Sequence, residues 1–258
     1  MSGWEVGAIA LAGFWAGMIN TIVGSGTLVT FPTLLFFGYP PVSANISNSL
    51  GLVPGGLAGA WGYRRELRTL GPMVARLAPA SLVGGLIGAL LLLWLPPEAF
   101  EAIVPVLIVL ALLLVVLGPR IQRWAGHHHT DRITPGRWVV LILGILVAGI
   151  YGGYFGAAQG VLLLGLMSIL LPLGIQQING IKNVLGMLVN LVAAVVFLVI
   201  SPDDPASRVD WTIVLVIGAG ALVGGLVGAR VGRAMPAWLL RSVIVVIGLI
   251  AIAYLLLT

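Results

Sequence analysis

The stretch from Asn20 to Pro32, reading N-T-I-V-G-S-G-T-L-V-T-F-P, sets polar and helix-breaking residues between two apolar runs. Glycines at 24 and 26 loosen backbone N–H and C=O groups where the flanking segments leave no water to satisfy them. At membrane depth such backbone is tolerated only when it is buried in protein or lines a cavity. A second stretch, Tyr151 to Gly160 (Y-G-G-Y-F-G-A-A-Q-G), takes the matching place later in the chain. Paired, glycine-interrupted apolar segments in two corresponding halves point to a transport site.

This argument needs a membrane, and the composition supplies one. The chain is 60% hydrophobic and 8% charged, with a mean hydropathy of +1.14. Soluble domains carry roughly 25% charged residues, so an all-α polytopic membrane protein in a lipid bilayer is expected. The absence of cysteine excludes disulfides, thiol catalysis and thiolate metal sites. The net charge of +5 comes from arginines in short loops. That distribution follows the positive-inside rule and indicates no nucleic-acid partner. The start, M-S-G-W-E-V, lacks the basic region of a cleavable signal peptide, so residues 4–22 are expected to be retained as a first span.

Ten apolar segments are expected, over 5–22, 26–38, 43–62, 71–95, 98–117, 137–155, 159–173, 177–200, 210–232 and 236–257. The second and seventh are too short to cross about 30 Å of hydrocarbon and read as half-helices or broken ones. The segments repeat in order. Ala12-Gly13-Phe14-Trp15-Ala16-Gly17 resembles Ala148-Gly149-Ile150-Tyr151-Gly152-Gly153. Ile46-x-Asn48-x-Leu50-Gly51 returns as Ile181-x-Asn183-x-Leu185-Gly186, and the run Leu82–Ala89 returns as Leu222–Ala229. The domain reading is therefore a first transmembrane repeat (1–118), a basic cytoplasmic linker (119–136) and a second repeat (137–258).

Loop charge sets an orientation. Arg64-Arg65-Glu66-Leu67-Arg68, the arginines of 118–136, and Arg230, Arg233 and Arg241 belong in the cytoplasm. The loops around Glu98 and Glu101, and from Ser201 to Asp210, belong outside. Each loop then lies opposite its repeat partner. Five segments per half force this inversion, and re-entrant hairpins at pairs 1–2 and 6–7 preserve it. The expectation is an inverted-topology repeat of two five-segment halves with broken or re-entrant helices and both termini outside. Gly84 with Gly88, and Gly220, Gly224, Gly228 and Gly232, recur every four residues and are expected to serve close helix packing.

The third and eighth segments carry polar stripes. Asn179, Lys182, Asn183, Gly186 and Asn190 share one helical face. Their repeat partners are Ala44, Ser47, Asn48, Gly51 and Gly55, with Asn45 and Ser49 beside them. Polar side chains inside a membrane face partners or a watery cavity, so both stripes are turned toward Ser25 and Gln159. Lys182, the only lysine, has two readings. It is a fixed charge drawing an anion inward, or a lysine snorkelling to the cytoplasmic surface. Asn48 and Asn183 line the site or bond between helices. Ser25 and Thr27 cap a half-helix whose N-terminus also suits an anion. Tyr151 and Tyr154 are weaker candidates. The expected substrate-binding set is Asn20, Gly24, Ser25, Gly26, Thr27, Asn45, Asn48, Ser49, Gln159, Gly160, Asn179, Lys182, Asn183 and Asn190.

All eight carboxylates lie at segment ends or in loops, so no proton relay is visible within the membrane. The three histidines form one loop tract, His127–His129, without a second ligand cluster. No metal, cofactor or enzymatic role is expected. A serine hydrolase, suggested by Gly24-Ser25-Gly26, lacks a base within reach.

The first break with A-N-I-S-N-S-L-G, repeated as A-G-I-Y-G-G-Y-F-G-A-A-Q-G and I-N-G-I-K-N-V-L-G, resembles the TauE/SafE family of sulfite and organosulfonate exporters over nearly the whole chain. The resemblance implies an inner-membrane permease for small sulfur-containing anions such as sulfite or sulfoacetate. Family members often carry three glycines where this chain has Gly24-Ser25-Gly26, and a glycine pair where it has Ala158-Gln159-Gly160. The expected function is a secondary transporter with alternating access around a midplane anion site. An anion channel of the same fold is the alternative, and a homo-oligomer is compatible with either.

Overall fold

The computed structural model describes residues 1–126, 134–200, 208–232 and 237–257. Among them the chain is helical and contains no strand. The first half holds α1 (Gly3–Ile22), α2 (Thr27–Phe36), α3 (Pro41–Gly62), a single turn α4 (Arg64–Leu67), α5 (Gly71–Trp94) and α6 (Pro97–Gly126). The second holds α7 (Pro135–Tyr154), α8 (Gln159–Leu170), α9 (Ile175–Ile200), α10 (Trp211–Val231) and α11 (Ala237–Leu257). Six of these (α1, α5, α6, α7, α9 and α10) are long and apolar enough to cross a membrane. Trp4, Trp61, Trp94, Trp211 and Trp238 are exposed near helix ends, where amphipathic rings favour the membrane–water boundary. The protein is an all-α polytopic membrane protein.

Most expected segments coincide with helices, but two details differ. The helix of 98–117 runs on through Pro119 to Gly126, because a proline-containing apolar helix keeps its remaining backbone bonds. The basic loop after α3 forms the turn α4, which contacts α9 and leaves Arg64 and Arg65 exposed. The loop residues His127–His129, Asp131, Arg132, Asp203, Asp204 and Arg233 lie outside the described residues.

The breaks fold the chain back on itself. Trp4 at the start of α1 packs edge-on against Phe37 after α2, with ring centroids 5.4 Å apart. Gly26 lies against Ala16, so α1 and α2 are antiparallel arms of a hairpin. In the second half Gly152 abuts Gln159 and Gly144 abuts Leu166, which makes α7 and α8 a hairpin as well. The arms α1 and α7 are each 20 residues long and begin at side-chain caps, Ser2 and Thr134. Each cap satisfies an N–H that the helix itself leaves open.

The halves then exchange helices. The small face of α10 lies on α1, with Gly224 against the Phe14 carbonyl and Gly228 against Met18. The small face of α5 lies in the same way on α7, with Gly84 against Leu146 and Gly88 against Ile150. In turn α10 packs on α3 and α5 on α9, while α11 contacts α2 and α6 contacts α8. Two bundles result: α1–α3 with α10 and α11, and α7–α9 with α5 and α6.

This packing corrects one pairing read from sequence. The motif match joined Gly13 with Gly149. In the structure Gly17 faces Ala221 and Gly149 faces Ser81, and these two partners occupy equivalent places on α10 and α5. Gly17 is therefore the counterpart of Gly149. The small residues recur every four positions, so the motif matches itself almost as well after a slip of one turn.

The close contacts should make both small faces intolerant of volume. Gly224→Val and Gly84→Val are each expected to destabilise by about 1–3 kcal/mol, the range for overpacking. Gly7→Val, whose added atoms meet open space, serves as the control. Thermal unfolding in detergent reads the difference, and equal behaviour of all three would refute the packing.

Candidate functional site

Each hairpin turns at a glycine in the left-handed region. The α1 arm ends with Val23 and Gly24 (φ 91°), and the α7 arm with Phe155 and Gly156 (φ 75°). The caps are alike. The Val23 and Gly24 N–H groups both donate to the Ile19 carbonyl, at 2.7 and 3.0 Å. Those of Phe155 and Gly156 both donate to Tyr151, at 2.9 and 3.0 Å. A glycine past the helix end takes this geometry without a Cβ penalty.

The two tips touch. The Gly160 N–H donates to the Gly24 carbonyl at 3.1 Å, and a Cβ on either glycine would overlap the other's backbone. Two of the backbone donors expected at the site are thereby used inside the protein, Gly24 on Ile19 and Gly160 on Gly24. The N–H groups of Ser25, Gly26 and Thr27, at the start of α2, and those of Ala157 and Gln159, at the start of α8, make no hydrogen bond among the described residues. Helix N-termini with open N–H groups carry partial positive charge suited to an anion.

A polar cavity of about 20 Å³ lies beside the tips. It has room for about one water molecule. Its lining includes eight of the residues singled out from the sequence: Asn20, Gly24, Thr27, Gln159, Gly160, Lys182, Asn183 and Asn190. Leu52, Gly156, Gly186 and Met187 complete it. Two of these four had a signal in the sequence, since Gly186 belongs to the polar stripe and Gly156 to the second break, whereas Leu52 and Met187 are apolar residues within their segments.

Lys182 is 2% exposed. Its Nζ donates to the carbonyls of Asn20 (2.9 Å) and Thr21 (3.0 Å), and Asn183 Nδ2 donates to Thr21 at 3.1 Å. These carbonyls close the last turn of α1, where the helix leaves acceptors unsatisfied and its dipole is negative. The snorkelling alternative is thereby excluded. The side chain reaches inward, because this interior offers two backbone acceptors at bonding distance. An ammonium has three donors, and two are used. No carboxylate pairs with it among the described residues.

The mirror place is served differently. Asn45 Nδ2 donates to the Tyr154 carbonyl at the end of α7, at 2.9 Å. Asn48 does not line the cavity; its Oδ1 accepts from Thr30 Oγ1, and its Nδ2 donates to Thr27 Oγ1 at 3.2 Å, tying α2 to α3. Ser49 bonds back to the Asn45 carbonyl at 2.8 Å. Gly51 and Gly55 are spent on packing against Ile217 and Ala221 of α10. Ser25, Gly26 and Asn179 are buried outside the lining, and the Ser25 hydroxyl and Asn179 Oδ1 have no hydrogen-bond partner among the described residues. Gln159 Nε2 is likewise unpartnered, but it lies in the cavity wall. The Tyr154 hydroxyl is buried without a hydrogen-bond partner among the described residues. The arrangement combines a buried cation, amide donors and two helix N-termini, all of which favour an anion.

A probable membrane transporter protein, ORF9, of Sinorhizobium is 29% identical over 93% of this chain and 87% of its own length. The probable membrane transporter protein YfcA of Escherichia coli K12 is 26% identical, over 97% and 89%. A probable membrane transporter protein of Haemophilus influenzae is 25% identical, over 91% and 88%. The model of the sulfite exporter family TauE/SafE matches residues 9–255, and the chain belongs to that family of membrane transporters.

Proposed function

We propose that this chain is a secondary transporter, of the inner membrane, that exports small sulfur-containing anions such as sulfite or organosulfonates. The observation that carries this reading is Lys182, a buried cation without a carboxylate partner among the described residues, in the wall of a polar cavity where two hairpin tips meet. The anion would take the third Lys182 donor, the amides of Asn183, Asn190 and Gln159, and open N–H groups at the start of α2 and α8. A cavity of about 20 Å³ is smaller than such an anion, so transport requires the tips to part.

The moving bodies in this reading are the two mixed bundles rather than the two sequence repeats. Among the described residues, the hydrogen bonds that cross between bundles are those of Lys182 and Asn183 to α1, of Asn45 to Tyr154 and of Gly160 to Gly24. They cluster around the cavity, so binding and opening draw on the same groups. The inverted arrangement, with both termini outside, would let the cavity open to each side in turn.

Sulfite efflux from proteoliposomes tests the reading. Lys182→Met is expected to slow efflux between about ten- and a hundredfold, as for loss of a charged hydrogen-bond partner, while eluting as a folded species. Undiminished efflux in the folded variant would place selectivity elsewhere. A second comparison separates turn geometry from tip contact. Gly24→Ala and Gly156→Ala both put a Cβ at positive φ, at roughly 1–2 kcal/mol, but only Gly24→Ala also strikes the opposing tip. Gly24→Ala should therefore impair efflux more, and equal impairment would show that the contact is not part of transport.

A further inference from the structure

The end of α3 and the end of α10 form a basic pocket that shares no lining residue with the cavity. It has a volume of about 240 Å³ and is lined by Trp61, Arg64, Arg65, Leu226 and Arg230, with the backbone of Gly62 and Ala229 between them. The three arginines are exposed, and none pairs with a carboxylate among the described residues. Glu66, the acidic neighbour in sequence, is not in the lining. Arg64 is held in place: its guanidinium stacks 3.9 Å over the Trp61 ring, and Nη1 donates to the Trp61 carbonyl at 3.1 Å. This uses one edge of the fork and leaves the other donors directed elsewhere.

Three like charges lining one pocket repel one another, and an anion among them relieves that repulsion. The arginine fork suits a phosphate or phosphodiester, and an aromatic ring at the rim suits the membrane–water boundary. The neighbouring surface decides the source of the phosphate. Leu57 lies one turn before Trp61 on α3 and Leu222 one turn before Leu226 on α10, on the same helical faces, and both are exposed. An apolar strip thus continues from the pocket into the bilayer, where acyl chains would lie. We propose that this pocket binds the headgroup of an anionic phospholipid, bridging α3 of the first half and α10 of the second. Basic pockets between transmembrane helices are suited to such headgroups.

The test is native mass spectrometry of the delipidated full-length chain, titrated with phosphatidylglycerol or phosphatidylcholine. Preferential binding of phosphatidylglycerol is expected, weakened about fivefold for each arginine removed in Arg65→Ala and Arg230→Ala, and partly kept in Arg230→Lys. Arg137→Ala, outside the pocket, should bind as the wild type does. Equal binding of the two lipids, or equal weakening by Arg137→Ala, would overturn the proposal. Displacement of the lipid by glycerol phosphate at comparable concentration would overturn the lipid assignment in favour of a soluble phosphate. Unchanged unfolding temperatures without lipid confirm that the variants are folded.

Discussion

The tips of two helical hairpins meet at one hydrogen bond, from the Gly160 N–H to the Gly24 carbonyl, and the rest of the fold accommodates that meeting. A side chain on either glycine would push the tips apart. The tips approach this closely only because the arms behind them are supported at backbone distance. The small residues of α10 and α5 bring α1 and α7 into that support. Small residues therefore work at two scales, pressing helix against helix and then loop against loop.

The meeting point is electrically uneven, and this gives the site its character. The C-terminal carbonyls of α1 face an ammonium and an amide, whereas the corresponding end of α7 faces one amide. Burying a charge is expensive unless hydrogen bonds and dipoles replace the lost water. The last turn of α1 offers both, with two acceptors at the negative end of a helix dipole. These are partial charges, and they do not neutralise a full positive one. The remaining field favours an anion. A carboxylate in the same place would have cancelled that field and left an ordinary buried ion pair.

Much of this was legible in the chain. Polar breaks inside apolar runs located both hairpin tips, because glycine and unsatisfied backbone have few other uses at that depth. Of the stripe from Asn179 to Asn190, Lys182, Asn183, Gly186 and Asn190 line the cavity and Asn179 does not. The stripe on α3 was harder to read. Asn48 and Ser49 satisfy neighbours on their own side, and Gly51 and Gly55 make room for α10. One-dimensional spacing gives the face of a helix but not which of two neighbours lies on it. Leu52 and Met187 escaped notice because an apolar residue in a membrane carries no signal of its own. The one-turn slip of the first motif has the same origin, since glycines repeated every four residues do not mark their own register. The exchange of α5 and α10 between halves was likewise invisible, because the repeat defines equivalence and not partnership.

That exchange bears on how such a molecule can move. The contacts within each bundle are broad, glycine-lined and apolar, and separating them would leave voids or expose backbone in hydrocarbon. Among the described residues, the hydrogen bonds between bundles number few and cluster at the cavity. Each neutral one is worth about 0.5–1.5 kcal/mol net, so the set is small beside the packing that holds each bundle. Packing also crosses between the bundles, α3 on α9 and α6 on α11, so these hydrogen bonds are only part of what a separation would break. In the proposed reading, an anion on the third Lys182 donor would share the ammonium with the carbonyls of Asn20 and Thr21, which belong to the opposite bundle. Occupancy of the site and the strength of the latch are then linked through one side chain. A substrate can shift that balance only by the difference in its affinity for the closed and parted arrangements. In the proposed reading the cavity of about 20 Å³ would set the sign of that difference, because an anion larger than the closed cavity would favour the parted arrangement.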